Sequence, residues 1–236
     1  MNQNTLSSIA IQDINMDKCY FNPGCAMTTH DIENEQLIYK ILNDNFGTVK
    51  MHNRCCRHEP NLPEGSVIIN NCAGCDRRFR TLYKEIDTIS LWEVINSIDN
   101  LELPDYSGLK VSIQDPCSYR QKPQVHKSVR NILKKMNIEI EEAISHGTSS
   151  VCCGDNFYPK LDIDKVNELQ KKRASEMPCE NVVVYCVSCL KSMSIGNKKG
   201  LHLMDLILKK ESFSGETNLA LYHEDLTKYI EKSARF

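Results

Sequence analysis

Short apolar runs rich in β-branched residues punctuate this chain. Val67-Ile-Ile69 and Val182-Val-Val184 are uninterrupted, the pattern of strands covered on both faces in a parallel sheet. Leu109-Lys-Val-Ser-Ile113 reads as another strand. Between such runs, apolar residues recur at helical spacing: Leu37, Ile38, Ile41 and Leu42 early on, and Val125, Val129, Ile132, Leu133 and Met136 later. Further helices are predicted from Asp162 to Ala174 and, short and amphipathic, from about His223 to Phe236. Strand and helix in alternation predict an α/β fold.

The pattern also repeats. Ser66-Val-Ile-Ile-Asn-Asn-Cys72 is similar to Asn181-Val-Val-Val-Tyr-Cys186, and Asn22-Pro-Gly-Cys25 to Gln114-Asp-Pro-Cys117. Leu91-Trp-Glu-Val-Ile95 closes the first copy much as Leu203-Met-Asp-Leu-Ile207 closes the second. Internal duplication predicts two pseudo-symmetric lobes, each a small parallel sheet flanked by helices, with facing functional ends. The expected boundaries are 18–103 for the first lobe and 108–210 for the second. They meet at the turn-forming Pro104-Asp-Tyr-Ser-Gly108, and 211–236 is a C-terminal extension whose start, Glu211 to Thr217, is polar and turn-like. The first lobe is the trimmed one, because 15 residues separate Cys56 from Cys72 whereas 32 separate Cys153 from Cys186.

Composition narrows the function classes. A chain of 236 residues, 41% hydrophobic and 25% charged, can bury a core without disulfides. The N-terminal stretch lacks a basic start and an apolar run, and no segment approaches a membrane-spanning length, so the expected location is the cytoplasm, without direct membrane insertion. A net charge of -2 argues against a nucleic-acid surface. The local basic runs Lys171-Lys-Arg173 and Asp76-Arg-Arg-Phe-Arg80 read as solvated helix faces.

Chemistry enters with the cysteines. Ten of the twelve fall into two sets of one order: Cys25, Cys55-Cys56, Cys72-Ala-Gly-Cys75, then Cys117, Cys152-Cys153, Cys186-Val-Ser-Cys189. In a reducing compartment such thiols are ligands or redox groups rather than a disulfide framework. Five soft donors exceed what one tetrahedral zinc ion takes, which points to iron–sulfur chemistry. Each Cys-x-x-Cys directly follows a strand, where a helix N-terminus favours thiolate. Adjacent cysteines share a site only if the backbone turns sharply, and Gly154 supplies that freedom after Cys153. The expected meeting place is the strand C-terminal edge. Cys19 and Cys179 read as ordinary core or surface residues. His52, His58 and His146 lie near the adjacent pairs, as proton donors, ligands or merely exposed loop residues.

Cys117, Cys152-Cys153-Gly154 and Cys186-x-x-Cys189, at these intervals, resemble the cysteine-rich CCG domain found in the catalytic subunit of heterodisulfide reductase and its relatives. The resemblance covers both halves and includes the aromatic strand Tyr20-Phe21 that runs into Cys25. It implies two noncubane [4Fe-4S] clusters, with a disulfide cleaved between them in one-electron steps. One would be held by Cys25, Cys55, Cys56, Cys72 and Cys75, the other by Cys117, Cys152, Cys153, Cys186 and Cys189. Arg57 replaces the glycine after the first pair, at a place where a left-handed backbone is costly for arginine. Zinc is therefore the alternative in the first lobe.

The expected function is an iron–sulfur oxidoreductase subunit that transfers electrons and reduces a small-molecule disulfide. No flavin or nicotinamide fingerprint occurs, so electrons are expected from an iron–sulfur or flavoprotein partner. Two rival readings are a zinc-stapled partner-binding module without catalysis and a metal-free dithiol reductase using Cys186 and Cys189.

Overall fold

The computed structural model describes Ile11 and residues 14–234. Two four-stranded parallel sheets form its centre. The first contains β1 (Cys19–Asn22), β2 (Lys50–Met51), β3 (Val67–Asn70) and β4 (Asp87–Ser90) in the order β2-β1-β3-β4. The second contains β5 (Lys110–Gln114), β6 (Glu139–Ile140), β7 (Asn181–Val184) and β8 (Lys199–His202) in the matching order β6-β5-β7-β8. Val67 to Ile69 and Val182 to Val184 are the buried central strands the apolar runs predict. The edge strands β2 and β6, two residues each, carry too little pattern to be read in advance, and β4 and β8 are too polar.

In the first lobe the helices are α1 (Cys25–His30), α2 (Ile32–Phe46), α3 (Ala73–Leu82) and α4 (Leu91–Asn96). In the second they are α5 (Pro123–Lys135), α6 (Ile163–Ser175), α7 (Val187–Ile195) and α8 (Leu203–Ile207). A 3-10 turn at Cys117–Tyr119 stands where α1 stands in the first lobe. Local chemistry explains the starts: Asp31 caps α2, Ser90 and Glu93 close a reciprocal capping box on α4, and Pro123 opens α5. The helix α9 (Leu219–Ser233), capped by Asn218, begins four residues before the predicted His223; the predicted end at Phe236 lies outside the described residues.

The packing between lobes obeys a pseudo-two-fold. α1 packs on α7 while the Cys117–Tyr119 turn packs on α3, and α4 packs on α5 while α2 packs on α8. One apolar core runs through both lobes, with Trp92 of the first edge-on to Tyr185 of the second. The additional helix α6 covers the outer face of the second sheet, where Ala174 meets Val182, Val184 and Met193. The first lobe lacks this helix and closes the same face with Phe79, Ile86 and Leu62.

One sequence expectation fails on α6. Arg173 is only 2% exposed instead of lying on a solvated face. Its guanidinium donates to Gln114 Oε1 (2.6 Å), the Ser145 carbonyl (2.8 Å) and Glu176 Oε2 (2.7 Å), and such pairing is what allows a buried charge. Periodicity shows which face a residue occupies, but not that a neighbouring loop will fold over it.

Candidate functional site: two sets of five thiols

In each sheet the first strand leads outward to the edge strand while its neighbour leads the other way. β1 connects to β2 and β3 to β4, so the loops after β1 and β3 diverge and leave a crevice at their C-terminal ends. Cys25 follows β1, Cys72 and Cys75 follow β3, and Cys55-Cys56 arrives on the loop after β2. Cys117, Cys186, Cys189 and Cys152-Cys153 occupy the corresponding places around β5, β7 and β6. Topology thus brings together what the chain separates by up to 72 residues in the second set.

All twelve cysteines are free thiols. Within the first set, hydrogen bonds link Cys25 to Cys55, Cys55 to Cys56, Cys56 to Cys75 and Cys75 to Cys72. In the second the chain of contacts runs Cys117, Cys152, Cys153, Cys189, Cys186, the same order at the equivalent positions. Cys19 and Cys179 stand outside both. The sulfurs adjoin pairwise; among the described residues, no three or more His, Cys, Asp or Glu side chains are arranged to hold a single metal ion.

The first cysteine of each adjacent pair is the acceptor of its set. Hydrogen bonds from Cys25 and Cys56 draw the Cys55 thiol down to about 3, and those from Cys117 and Cys153 draw Cys152 down to about 2. The donors are held protonated: Cys25 and Cys117 are pushed well up, each by its bond to that acceptor and by burial. Cys72 caps the N-terminus of α3. The Cys75 thiol lowers it to about 7 against the cost of burial, helped by the Gly74 and Cys75 N–H groups.

Two side-chain amides place the adjacent pairs, and the sequence reading misses both. Asn22 at the end of β1 donates from Nδ2 to the Arg54 carbonyl at 3.3 Å, just before Cys55. Gln114 at the end of β5 donates from Nε2 to the Val151 carbonyl at 3.1 Å, just before Cys152. A signal for them exists in the repeat itself: both amides stand three residues before the leading cysteine. The strain expected at Arg57 does not arise, because Arg57 is not among the residues with positive φ. Instead His58 N bonds the Cys55 carbonyl at 3.0 Å to close an ordinary turn, whereas Gly154 does need its φ of 107°.

The histidines singled out from sequence have structural partners. His52 bonds Asn22 and the Pro60 carbonyl, His58 the Ile230 carbonyl and His146 the Ala143 carbonyl. More telling are groups at the lobe junction. Tyr222 of α9, buried, bonds Ser188 Oγ at 3.0 Å and lies near enough to Cys186 and Cys25 to feel charge on either set. Tyr119 of the second lobe is similarly placed against Cys72 of the first. Both sets therefore face the junction, where α1 packs on α7.

The two flanks of that junction differ. On one, Lys122 reaches Asp76 Oδ1 at 3.1 Å and Glu93 Oε2 at 3.6 Å, sealing the contact with a buried ion pair. On the other, His30 takes the place of Lys122, five residues after its leading cysteine, and a cavity of about 230 Å³ remains between His30, Lys191, Gly215 and Tyr222. Lys191 donates to the Ser214 and Glu216 carbonyls at 2.8 Å each, holding the segment before α9 as the cavity's roof. Burial and the Lys191 charge bring His30 down to about 4.

One of these two crevices has a counterpart among known protein families. Residues 111–194 match the cysteine-rich CCG domain. The match runs from within β5 to the last turn of α7 and includes the whole second set. The first lobe repeats the topology and sulfur order of this CCG domain but lies outside the matched range. No curated protein matches the chain. A CCG domain and clustered thiols support a metal- or iron–sulfur-binding module. Among the described residues, no helix is long and apolar enough to cross a membrane.

Proposed function

We propose that this chain is an iron–sulfur oxidoreductase subunit resembling the catalytic subunit of heterodisulfide reductase, acting on a small-molecule disulfide with electrons from an iron–sulfur or flavoprotein partner in the cytoplasm. The observation that carries the reading is the identical chain of five sulfurs at two switch points that face one junction. The donor set fits the group. Each crevice offers five soft sulfurs, more than one tetrahedral zinc ion takes, and cysteine thiolates are the ligands that hold iron–sulfur cores.

Cys25, Cys55, Cys56, Cys72 and Cys75 would hold one noncubane [4Fe-4S] cluster, and Cys117, Cys152, Cys153, Cys186 and Cys189 the other. Such clusters supply single electrons and an iron open to a sulfur ligand. The ordinary turn at Arg57 removes the backbone argument for zinc in the first lobe. A disulfide takes up two electrons and two protons and leaves as two thiols, so two one-electron deliveries complete a turnover. The chain's own part is to confine the substrate. The cavity between His30, Lys191 and Tyr222 would take the end of a small disulfide, and Tyr222, which lines it, is also within electrostatic reach of Cys25 and Cys186.

Anaerobic purification followed by iron and acid-labile sulfide analysis tests this. About eight irons per chain with matching sulfide are expected, falling by about half in Cys117→Ser and in Cys25→Ser. One or two zincs without sulfide would instead favour the zinc-stapled module.

A further inference from the structure

The molecule is close to neutral overall, yet its cations are not spread evenly. Five of its nine arginines, Arg57, Arg77, Arg78, Arg80 and Arg120, collect at the outer edge of the first thiol set and along the sealed flank of the junction. Hydrogen bonds place three of them along this edge, and Arg57 and Arg77 are sequence neighbours of Cys56 and Arg78. Arg78 Nε donates to the Cys56 carbonyl at 2.7 Å, which places this cation against the thiol loop and beside Arg57. Arg80 reaches Gln121 across the junction at 3.4 Å, and its neighbour Arg120 donates to the Ser150 carbonyl at 2.7 Å, two residues before Cys152. Arg57, Arg77, Arg78 and Arg120 are exposed.

Local carboxylates cancel only part of this charge. Asp76 is fully buried and already shared between Lys122 and Arg80. Glu59 and Glu85 bound the patch at Tyr83. The equivalent helix of the second lobe, α7, carries a single cation, the buried Lys191, and sets Val187, Leu190 and Met193 in the core. The positive edge is therefore carried mainly by the first lobe, with Arg120 of the second beside it, and is not part of the shared plan. It also lies on the flank opposite the cavity that Tyr222 and Lys191 close.

We propose that this arginine edge is the docking surface for an acidic electron-transfer protein, which delivers electrons at the first thiol set while the substrate occupies the other flank. The assignment rests on the iron–sulfur reading above. Charge complementarity accelerates the encounter of such partners and sets their orientation, and a donor seated here stands directly over the loop of Cys56. The donor loses one electron for each one it delivers. Entry at the cavity flank would instead put donor and substrate in competition.

The test uses the full-length, anaerobically purified protein and a reduced, strongly acidic ferredoxin as probe. Arg57→Glu combined with Arg77→Glu leaves the Arg78 contact to the thiol loop intact. At 50 mM salt the pair should slow reduction by the ferredoxin by about tenfold or more, and the difference should shrink toward 500 mM salt. Reduction by dithionite should be unchanged. Lys165→Glu, a charge reversal on exposed α6, should have little effect. An unchanged low-salt rate in the double variant, an equal loss in Lys165→Glu, or displacement of the ferredoxin by RNA bound at the same arginines would overturn the proposal. If the purified protein holds no iron, the iron–sulfur reading fails, and docking is then decided by whether the double variant weakens equilibrium binding of the ferredoxin.

Discussion

The two lobes carry five sulfurs in one order on sheets of one topology, but they hold those sulfurs in place by different means. In the second lobe a buried carboxylate organises the surroundings. Asp115, two residues before Cys117, is fully buried and accepts from both terminal nitrogens of Arg130, from Tyr185 and from the Gly147 N–H, with His126 Nδ1 at 3.2 Å. In the first lobe the same position is Pro23, and close backbone approach replaces the network: a Cβ on Gly24 would lie 2.8 Å from Cys72 Cβ. The α9 helix then fastens this lobe from outside, with Ser233 Oγ accepting from the Cys55 N–H at 3.3 Å. What is shared is what sulfur convergence needs: the switch point, the helix starts and the amide clamps. The buttressing around it differs, and with it the surface each set presents.

Breaking the buried carboxylate should have the largest effect. Asp115→Asn leaves Arg130 with Glu142 alone and strips the Tyr185 and Gly147 donors of their anion, and should cost about 3 kcal/mol in urea unfolding of the metal-free protein. Burial works against the Asp115 charge, but hydrogen bonds from His126 and Arg130 hold its carboxyl well below the usual range. Its stabilisation is therefore complete above the ordinary value of 3.8 and is lost as pH falls below it toward the folded value. A variant as stable as the parent at pH 7 would show that the network is incidental.

Gly24→Ala should come next, costing about 1–3 kcal/mol because it forces a side chain onto a φ of 81° as well as against Cys72. It should roughly halve the iron content by emptying the first set, and equal loss from both sets would refute the separate buttressing. The amide clamps allow a finer comparison. Asn22→Ala and Gln114→Ala should each cost about 1–2 kcal/mol. In the metal-free protein, maleimide labelling should rise at Cys55 in the first variant and at Cys152 in the second; cross-labelling would mean that the loops are not clamped independently.

At neutral pH the junction has the smallest effect, and acid brings it out. Burial brings His202 down to about 4, as burial and Lys191 do His30, so both stay neutral in the folded protein. Unfolding releases them to their ordinary value of 6.5, so their contribution is complete above that pH and declines as pH falls toward 4. The melting temperature should drop by roughly ten degrees or more over that window, before Asp115 titrates, and His202→Asn should flatten the drop.

Much of this is legible in the residues. The uninterrupted valine and isoleucine runs announce buried parallel strands, since only a strand covered on both faces tolerates no polar alternation. The doubled cysteine order announces two equivalent crevices, and the span from Asp162 to Ala174 matches α6 to within a residue. Arg173, read as solvated, shows where such reading stops, because its burial depends on Gln114 and Ser145, which the chain brings from 59 and 28 residues away. By itself, then, the sequence determined the periodic elements and the repeated order of the thiols, both carried by residue types and short spacings. Tertiary structure alone decided which flank of the junction is sealed by Lys122 and which stays open at His30, and where the arginines gather. Those outcomes depend on contacts between segments distant along the chain, and no local pattern encodes them.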